Sequence, residues 1–176
     1  IMGLDLEKFD NIYVVSVEEH LNQYKFIDGV KEQFARIGYL DKLKFVILEK
    51  RTSSQPETVA NAIKQEGIKG DIYIKDSDNY FVETRVGGNF ISTFDLNNME
   101  LVHAKNKSYV VTNDQDVVLN IVEKKVISST FNVGGYGFDS ADKFVEHYNK
   151  IKNIGDLYIS HIIYQMIVSG IKFQKS

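Results

Sequence analysis

The chain has 176 residues, 43% of them hydrophobic and 26% charged, and a formal net charge of -3. This length and composition fit one globular domain with a sizeable core, and the acidic balance argues against nucleic acid or an anionic membrane as a partner. Cysteine is absent from the sequence, which excludes disulfides and thiolate metal sites. No apolar run is long enough to cross a membrane, and we expect a cytoplasmic protein.

The first half of the chain alternates apolar runs with helical patterns. Two continuous apolar runs, Ile12–Val17 and Leu43–Leu48, are typical of strands that are covered on both faces. Apolar residues recur at helical spacing over residues 27–37, and a second helix is predicted to begin near Ser54, which has a capping-box partner in Glu57.

The stretch Asp71–Asn79 reads as a short buried strand followed by two carboxylates, Asp76 and Asp78. Open α/β sheets bind ligands beyond the carboxyl ends of such strands, and Mg²⁺ binds through one or two carboxylates together with substrate phosphates. A metal–phosphate site is the functional interpretation. A solvated turn is the alternative, because Asp, Ser and Asn are ordinary turn residues.

The second half contains short strand-like runs and then two helical patterns. The runs are residues 90–94, 100–104, 108–112 and 117–122, followed by the segments 127–130 and 131–138. Turn residues at 113–116 predict an antiparallel hairpin between the last two of the four runs. A helix is expected from about Ser140, and residues 157–168 are apolar enough for a buried helix.

The order strand, helix, strand, helix, strand in the first half favours a parallel sheet with right-handed crossovers. We therefore predict a single α/β domain over residues 1–176. Its expected architecture is a Rossmann-like three-layer sandwich with a mostly parallel central sheet and an antiparallel β-hairpin region in the second half.

Polar residues beside the predicted elements add candidate ligand contacts. Gln55 and Thr58 lie at a helix N-terminus, which favours a base or a phosphate, although plain capping is the better explanation of these residues taken alone. Glu123 could accept a substrate hydroxyl and Lys124 could pair with a phosphate, or both belong to a charged strand end. The pair Gly134–Gly135 indicates close approach of the backbone to a ligand or to a neighbouring strand.

Four segments occur in a specific order: Thr52–Thr58, Ile74–Asn79, Ile121–Lys124 and Asn132–Phe138. Together they resemble the nucleotidyltransferases of the sugar-nucleotide pyrophosphorylase type, which share their core fold with nucleotide-sugar glycosyltransferases. The likeness is strongest to the branch found in bacterial capsule and surface-polysaccharide clusters, which includes cytidylyltransferases. Four ordered motifs are more specific than any one of them.

The resemblance implies transfer of a nucleoside monophosphate from a nucleoside triphosphate, with CTP favoured, to a phosphorylated small molecule in capsule or surface-glycan precursor synthesis. Pyrophosphate is released, Mg²⁺ is the implied cofactor, and a homodimer is left open. The residues that the resemblance assigns are Asp76 and Lys124 as catalytic, Gln55, Thr58, Lys75 and Asp76 as nucleotide-binding, Glu123, Asn132, Gly134 and Gly135 as substrate-binding, and Asp76 and Asp78 as metal ligands.

The sequence departs from the family pattern in two places. No glycine-rich loop with an arginine and a following lysine precedes Ile12–Val17, and no late aspartate of the Asp-Trp-Gly type is present. We therefore expect a fragment that is not catalytically complete, with a degenerate relative as the alternative. Two other functions stay open: a metal-dependent glycosyltransferase of the same fold, and a non-catalytic nucleotide-binding module.

Overall fold

The structure, a computed structural model, describes residues 3–98 and 103–176. The chain forms two compact units. The N-terminal unit runs from Asp5 to Ile68, and the C-terminal unit runs from Lys69 to Ser176 and includes Gly3 and Leu4. The prediction of a single domain over residues 1–176 stays a prediction.

The described helices and strands follow most of the sequence pattern. In chain order the strands are β1 Ile12–Val17, β2 Leu43–Leu48, β3 Ile72–Lys75, β4 Phe90–Asp95, β5 Ser108–Thr112, β6 Val118–Glu123, β7 Thr130–Phe138 and β8 Gln174–Lys175. The helices are α1 Glu18–Tyr24, α2 Ile27–Arg36, α3 Gln55–Glu66, α4 Ala141–Ile151 and α5 Ile159–Val168. Of the run predicted at 100–104, residues 100–102 lie outside the described residues.

The N-terminal unit contains a parallel pair of strands, β1 and β2, in register from Ile12 opposite Leu43 to Val17 opposite Leu48. Its core is formed by buried residues of β2 and α3, with partly buried residues of β1 packed against them: Val46, Leu48 and Ala62, and Tyr13, Val15 and Val17. The apolar runs that predicted these strands therefore face a common core, as the hydrophobic effect requires.

The C-terminal unit contains a sheet of six described strands in the order β6-β5-β7-β4-β8, with β3 also paired to β7. All of these pairs are antiparallel except β4 with β8. The prediction of a mostly parallel central sheet is therefore wrong for this sheet. Parallel neighbours need a long crossover connection, whereas β5 and β6 are joined by a short turn that reverses the chain. The predicted hairpin at 113–116 is confirmed.

Strand β7 organises the sheet because it pairs with three other strands. Strand β4 pairs with it along one edge from Thr130 to Gly137. The other edge is shared, since β5 pairs at Phe131 and β3 pairs from Gly135 to Phe138. The shared edge therefore changes partner between Phe131 and Gly135, and the candidate residues Asn132 and Gly134 lie in this part of β7.

Helices α4 and α5 pack against each other, and α5 packs on β6. The core between these elements is aromatic and aliphatic: the ring of Phe138 lies 5.0 Å from that of Phe144 and 5.7 Å from that of Phe173, both in edge-to-face geometry. Ile163 and Met166 of α5 are fully buried, which confirms the buried helix predicted at 157–168. None of the described helices is both long and apolar enough to cross a membrane.

Candidate functional site

Strand β3 ends in a tight turn that is held by a lysine side chain. Lys75 Nζ donates hydrogen bonds to the backbone oxygens of Asp76, at 3.0 Å, and Asn79, at 2.7 Å, and to Asn79 Oδ1 at 3.0 Å. The ammonium also lies 4.8 Å from the centre of the Phe81 ring. Burial lowers the pKa of Lys75, and the negative charges of Asp76 and Asp78 oppose that shift. The lysine is thus built into the turn that carries the two carboxylates.

Strand β7 contains a bulge next to this turn. Along β4, Ser92 pairs with Gly135 and Thr93 pairs with Asn132, which leaves two residues of β7 unpaired in the ladder. The Asn132 side chain, 5% exposed, fills the inside of the bulge. Its Nδ2 donates to the backbone oxygens of Ser92 and Gly135, and its Oδ1 accepts from the Gly134 N–H at 2.6 Å. Asn132 therefore shapes the backbone at this point.

The turn and the bulge are joined by two hydrogen bonds. The Asp76 N–H donates to the Gly134 oxygen at 2.8 Å, and Asn79 Nδ2 donates to the Val133 oxygen at 2.5 Å. Gly134 has φ +90°, and a Cβ atom there would lie 2.5 Å from Asp76 Oδ2 and 2.2 Å from Asn79 Nδ2. Only glycine allows the bulge to approach the carboxylate of Asp76 so closely.

A buried polar chain lies behind Gly135. A Cβ atom on Gly135 would come within 2.2 Å of the Tyr73 hydroxyl, which lies 2.9 Å from Ser92 Oγ. Ser92 Oγ in turn donates to Glu83 Oε2 at 2.5 Å, and Glu83 is only 8% exposed. Burial raises the pKa of Tyr73, so its hydroxyl stays protonated. The sequence pattern did not identify Glu83, because nothing local shows that this carboxylate is buried.

Tyr136 is a second residue that the sequence analysis missed. It is 6% exposed, and its pKa is raised first by burial and then by the negative charges of Asp76, Glu123 and Asp78. The phenol is therefore a neutral hydrogen-bond donor near carboxylates from two different predicted motifs. Its place in β7, two residues after the bulge, was readable from the sequence, but its neighbours were not.

The donor set of the turn fits a hard divalent cation. Asp76 is partly buried at the end of β3 and Asp78 is exposed. Two carboxylates that leave room for substrate phosphates are what Mg²⁺ usually takes from a protein. Within residues 3–98 and 103–176, no three acidic or histidine side chains converge in a way that would hold a metal without a substrate. The assignment of Asp76 and Asp78 as metal ligands stays a prediction.

Glu123 and Lys124 lie at the end of β6 beside the start of α5. Glu123 Oε2 accepts hydrogen bonds from Ser108 Oγ at 2.5 Å and Ser160 Oγ at 2.7 Å, so the carboxylate has a fixed orientation. Lys124 has φ 55°, and its Nζ is hydrogen-bonded to the Tyr158 hydroxyl. That bond raises the pKa of Lys124, which therefore remains a cation at neutral pH.

The two remaining candidates, Gln55 and Thr58, belong to the N-terminal unit. Gln55 is exposed in the first turn of α3. Thr58 Oγ1 lies 2.5 Å from Thr52 Oγ1 at the same helix start. Arg51, which precedes this helix, forms a two-pronged ion pair with Glu19 at 2.8 and 3.0 Å. Capping and ion pairing account for these local contacts, and nucleotide binding by Gln55 and Thr58 stays a prediction.

Within the C-terminal unit the structure brings five of the predicted site residues to one corner. They are Lys75, Asp76, Asn132, Gly134 and Gly135. The corner lies where β3 and the bulge of β7 meet. The sequence placed these residues in two motifs more than fifty positions apart, and the hydrogen bond between Asp76 and Gly134 joins them.

Comparison with known proteins gives a consistent fold. No protein-family model matches the chain, and no curated protein is significantly similar to it. Among solved structures, a nucleoside-diphosphate-sugar pyrophosphorylase from Vibrio cholerae RC9 is similar with a TM-score of 0.75 at 20% identity, over 93% of this chain and 70% of that one.

Two transferases named for CTP are also similar. The inositol-1-phosphate CTP transferase from T. maritima matches 94% of this chain and 65% of its own, with a TM-score of 0.66 at 11% identity. The CTP:phosphocholine cytidylyltransferase from Streptococcus pneumoniae matches 97% of this chain and 71% of its own, with a TM-score of 0.66 at 17% identity. The chain thus spans about two thirds of the length of these proteins, and it has the nucleotidyltransferase (GT-A-like) fold.

Proposed function

We propose that this protein is a nucleotidyltransferase, which transfers a nucleoside monophosphate from a nucleoside triphosphate to a phosphorylated small molecule and releases pyrophosphate. The observation that carries the proposal is the position of Asp76. It lies at the carboxyl end of β3 and is hydrogen-bonded to Gly134, in a chain with the nucleotidyltransferase fold. Mg²⁺ usually binds proteins through one or two carboxylates together with substrate phosphates, and the turn after β3 carries two carboxylates, Asp76 and Asp78.

In the proposed site, Asp76 and Asp78 would hold Mg²⁺, which when bound neutralises charge on the phosphates. Lys124, whose pKa is raised by the Tyr158 hydroxyl, supplies a permanent positive charge for a phosphate group. Glu123, oriented by two serine hydroxyls, accepts a hydrogen bond from the acceptor. The neutral hydroxyl of Tyr136 donates a hydrogen bond to a substrate oxygen that lies between the carboxylates of Asp76 and Glu123. We propose that Gln55, Thr58 and Lys75 serve the nucleotide, and that Asn132, Gly134 and Gly135 line the acceptor side.

The bond changes are a single displacement at phosphorus. An oxygen of the acceptor phosphate forms a bond to the α-phosphorus, and the bond between that phosphorus and the oxygen bridging to the β-phosphorus breaks. The electron pair leaves with pyrophosphate. Such a reaction needs positioned phosphates and fixed opposite charges more than a protein nucleophile. We propose that Mg²⁺ held at the corner of β3 and β7 would supply this opposite charge, together with Lys124.

We propose CTP as the nucleotide and a small phosphorylated compound as the acceptor. Two of the similar structures are named for CTP and for phosphorylated acceptors, inositol-1-phosphate and phosphocholine. A role in capsule or surface-glycan precursor synthesis is part of the same proposal, and it rests on the motif resemblance.

The test is pyrophosphate release by the full-length protein with each of the four ribonucleoside triphosphates, Mg²⁺ and a panel of sugar phosphates and phosphoalcohols. We expect release with CTP and one acceptor class, and none without Mg²⁺. Calorimetric titration with the triphosphates and with nucleotide-sugars is run in parallel. Binding of a nucleotide-sugar, without binding of any triphosphate, would favour the glycosyltransferase alternative and overturn the proposal.

A further inference from the structure

The turn at residues 76–79 is fixed from both sides by a side chain that has no direct part in the proposed chemistry. Asn79 Oδ1 accepts a hydrogen bond from Lys75 Nζ, and Asn79 Nδ2 donates one to the Val133 oxygen in the bulge of β7. The amide therefore connects the lysine of one strand to the backbone of another. Both ends of the amide are used within the protein.

Lys75 completes this arrangement. Its ammonium donates to three oxygens of the turn, and the partly buried side chain packs over the Phe81 ring. An exposed lysine would gain little from such bonds, because water competes for them. Partial burial makes each bond to the charged group more valuable, and the loss of the lysine would leave those oxygens without their shared donor.

The bulge supplies a rigid base for the turn. Asn132 fixes the bulge from inside by three hydrogen bonds to the backbone. The Val133 and Gly134 oxygens then point at the Asn79 amide and the Asp76 N–H. Two neighbouring carbonyls of one strand thus hold the two ends of a four-residue turn.

We propose that Asn79 and Lys75 are positioning residues, which hold the Asp76 carboxylate in the orientation that binds a divalent cation. The inference rests on the proposed function for the cation site. In this role Lys75 would serve the nucleotide indirectly, because its ammonium holds the turn that carries Asp76. A metal ligand fixed before binding loses less freedom on binding, so affinity falls when its support is removed.

The experiment measures Mn²⁺ binding by electron paramagnetic resonance, first with the protein alone and then with CTP present, because substrate phosphates would complete the cation site. Amide hydrogen exchange is measured in parallel by NMR. The variants are Asn79→Ala and Lys75→Met. The matched controls are Asn149→Ala and Lys172→Met, which remove an exposed amide and an exposed ammonium from the same unit. Circular dichroism and thermal melting check that each variant folds.

We expect each variant to bind Mn²⁺ about tenfold more weakly than the wild type, which corresponds to the loss of about 1.4 kcal/mol. The Asp76 amide, protected by the Gly134 oxygen in the wild type, should exchange at least several times faster in both. The controls should match the wild type in both measurements. A merely structural role would lower the melting temperature and leave Mn²⁺ affinity unchanged in the folded protein.

The remaining outcomes distinguish failure of the positioning role from failure of the proposed function. Wild-type affinity in folded Asn79→Ala and Lys75→Met would overturn the positioning role and leave the proposed function standing. Absence of Mn²⁺ binding by the wild-type protein, both alone and with CTP present, would overturn the cation site and the proposed function with it. If one variant does not fold, the other decides. If neither folds, these side chains support the fold as a whole and the positioning role is rejected.

Discussion

At position 134 the backbone has φ +90°, and a Cβ atom would overlap the side chains of Asp76 and Asn79. The left-handed backbone and the lack of space for a Cβ atom both disfavour any residue other than glycine at this position. We expect Gly134→Ala to lower the free energy of unfolding by about 2 kcal/mol, through backbone strain and displacement of the turn. Urea unfolding measures the change.

Gly155 provides the matched control for this substitution. It lies in the same unit, its backbone is not left-handed, and no atom lies within 4 Å of an added Cβ. Gly155→Ala should stay within about 0.5 kcal/mol of the wild type. Equal stability of Gly134→Ala and Gly155→Ala would show that the bulge accommodates a methyl group without loss of free energy, which would contradict the prediction.

The pKa of the Lys124 side chain can be measured directly. Its pKa is raised by the hydrogen bond to Tyr158, so Tyr158→Phe should lower that pKa towards the ordinary value of about 10.4. The hydrogen bond contributes its full stabilisation at pH values below the pKa of Lys124 in the unfolded chain. That stabilisation is lost as the pH rises through the higher pKa of the native protein. NMR titration of the lysine Cε signals measures the shift, with Tyr164→Phe on the same helix as the control. An unchanged Lys124 pKa would contradict the contact.

Helix α4 carries a buried histidine whose effect on stability depends on pH. His147 is 4% exposed, its Nδ1 has no hydrogen-bond partner among the described residues, and burial lowers its pKa. The charge of Lys150 acts in the same direction, and that of Glu146 opposes it. The unfolded chain therefore binds the proton more readily than the native one.

Because the native pKa of His147 is depressed, stability should fall as the pH drops below about 6.5, where the unfolded histidine becomes charged. We expect His147→Gln to flatten this part of the stability curve, measured by urea unfolding from about pH 7 to about pH 5. His103→Gln, at an exposed position, should keep the wild-type slope. If the free energy of unfolding of His147→Gln changed with pH as steeply as that of the wild type, the pH dependence would belong to other groups.

Among the elements, those defined by local signals could be predicted from the sequence. Helix α3 begins at the Ser54 cap and ends at Gly67, which has φ +61°, because capping and a left-handed glycine are local features. The β5–β6 hairpin follows from its turn residues. Helix α1 was not predicted because none of its residues is buried, so no apolar periodicity marks it.

Elements defined by distant partners could not be predicted. The sequence suggested that Gly134–Gly135 approaches a ligand or a strand, but not that the bulge receives the Asp76 N–H. Nor does any local pattern show that β3 runs antiparallel to β7, because register and direction follow from packing along the whole sheet. The residues of the corner were therefore predictable, and its hydrogen bonds were not.

For the whole molecule, the domain organisation is open to measurement. The N-terminal unit has a small core, and a unit of that size buries only about 60% of the surface of its unfolded chain, which makes it marginal alone. In keeping with the proposed single domain, we expect one cooperative transition in urea. NMR signals of Val46 and Ile163, one buried residue in each unit, should lose intensity at the same midpoint. Separate midpoints would establish two domains.

The central claim is that Asp76 is the metal corner of a nucleotidyltransferase site. The most direct test compares Mg²⁺-dependent pyrophosphate release by the wild-type full-length protein and by Asp76→Asn, with melting temperature as the check on folding. The amide keeps the size of the side chain and removes its charge, so we expect a loss of activity of at least about a hundredfold, about 2.7 kcal/mol, in a folded protein. Unchanged turnover in folded Asp76→Asn would contradict the account.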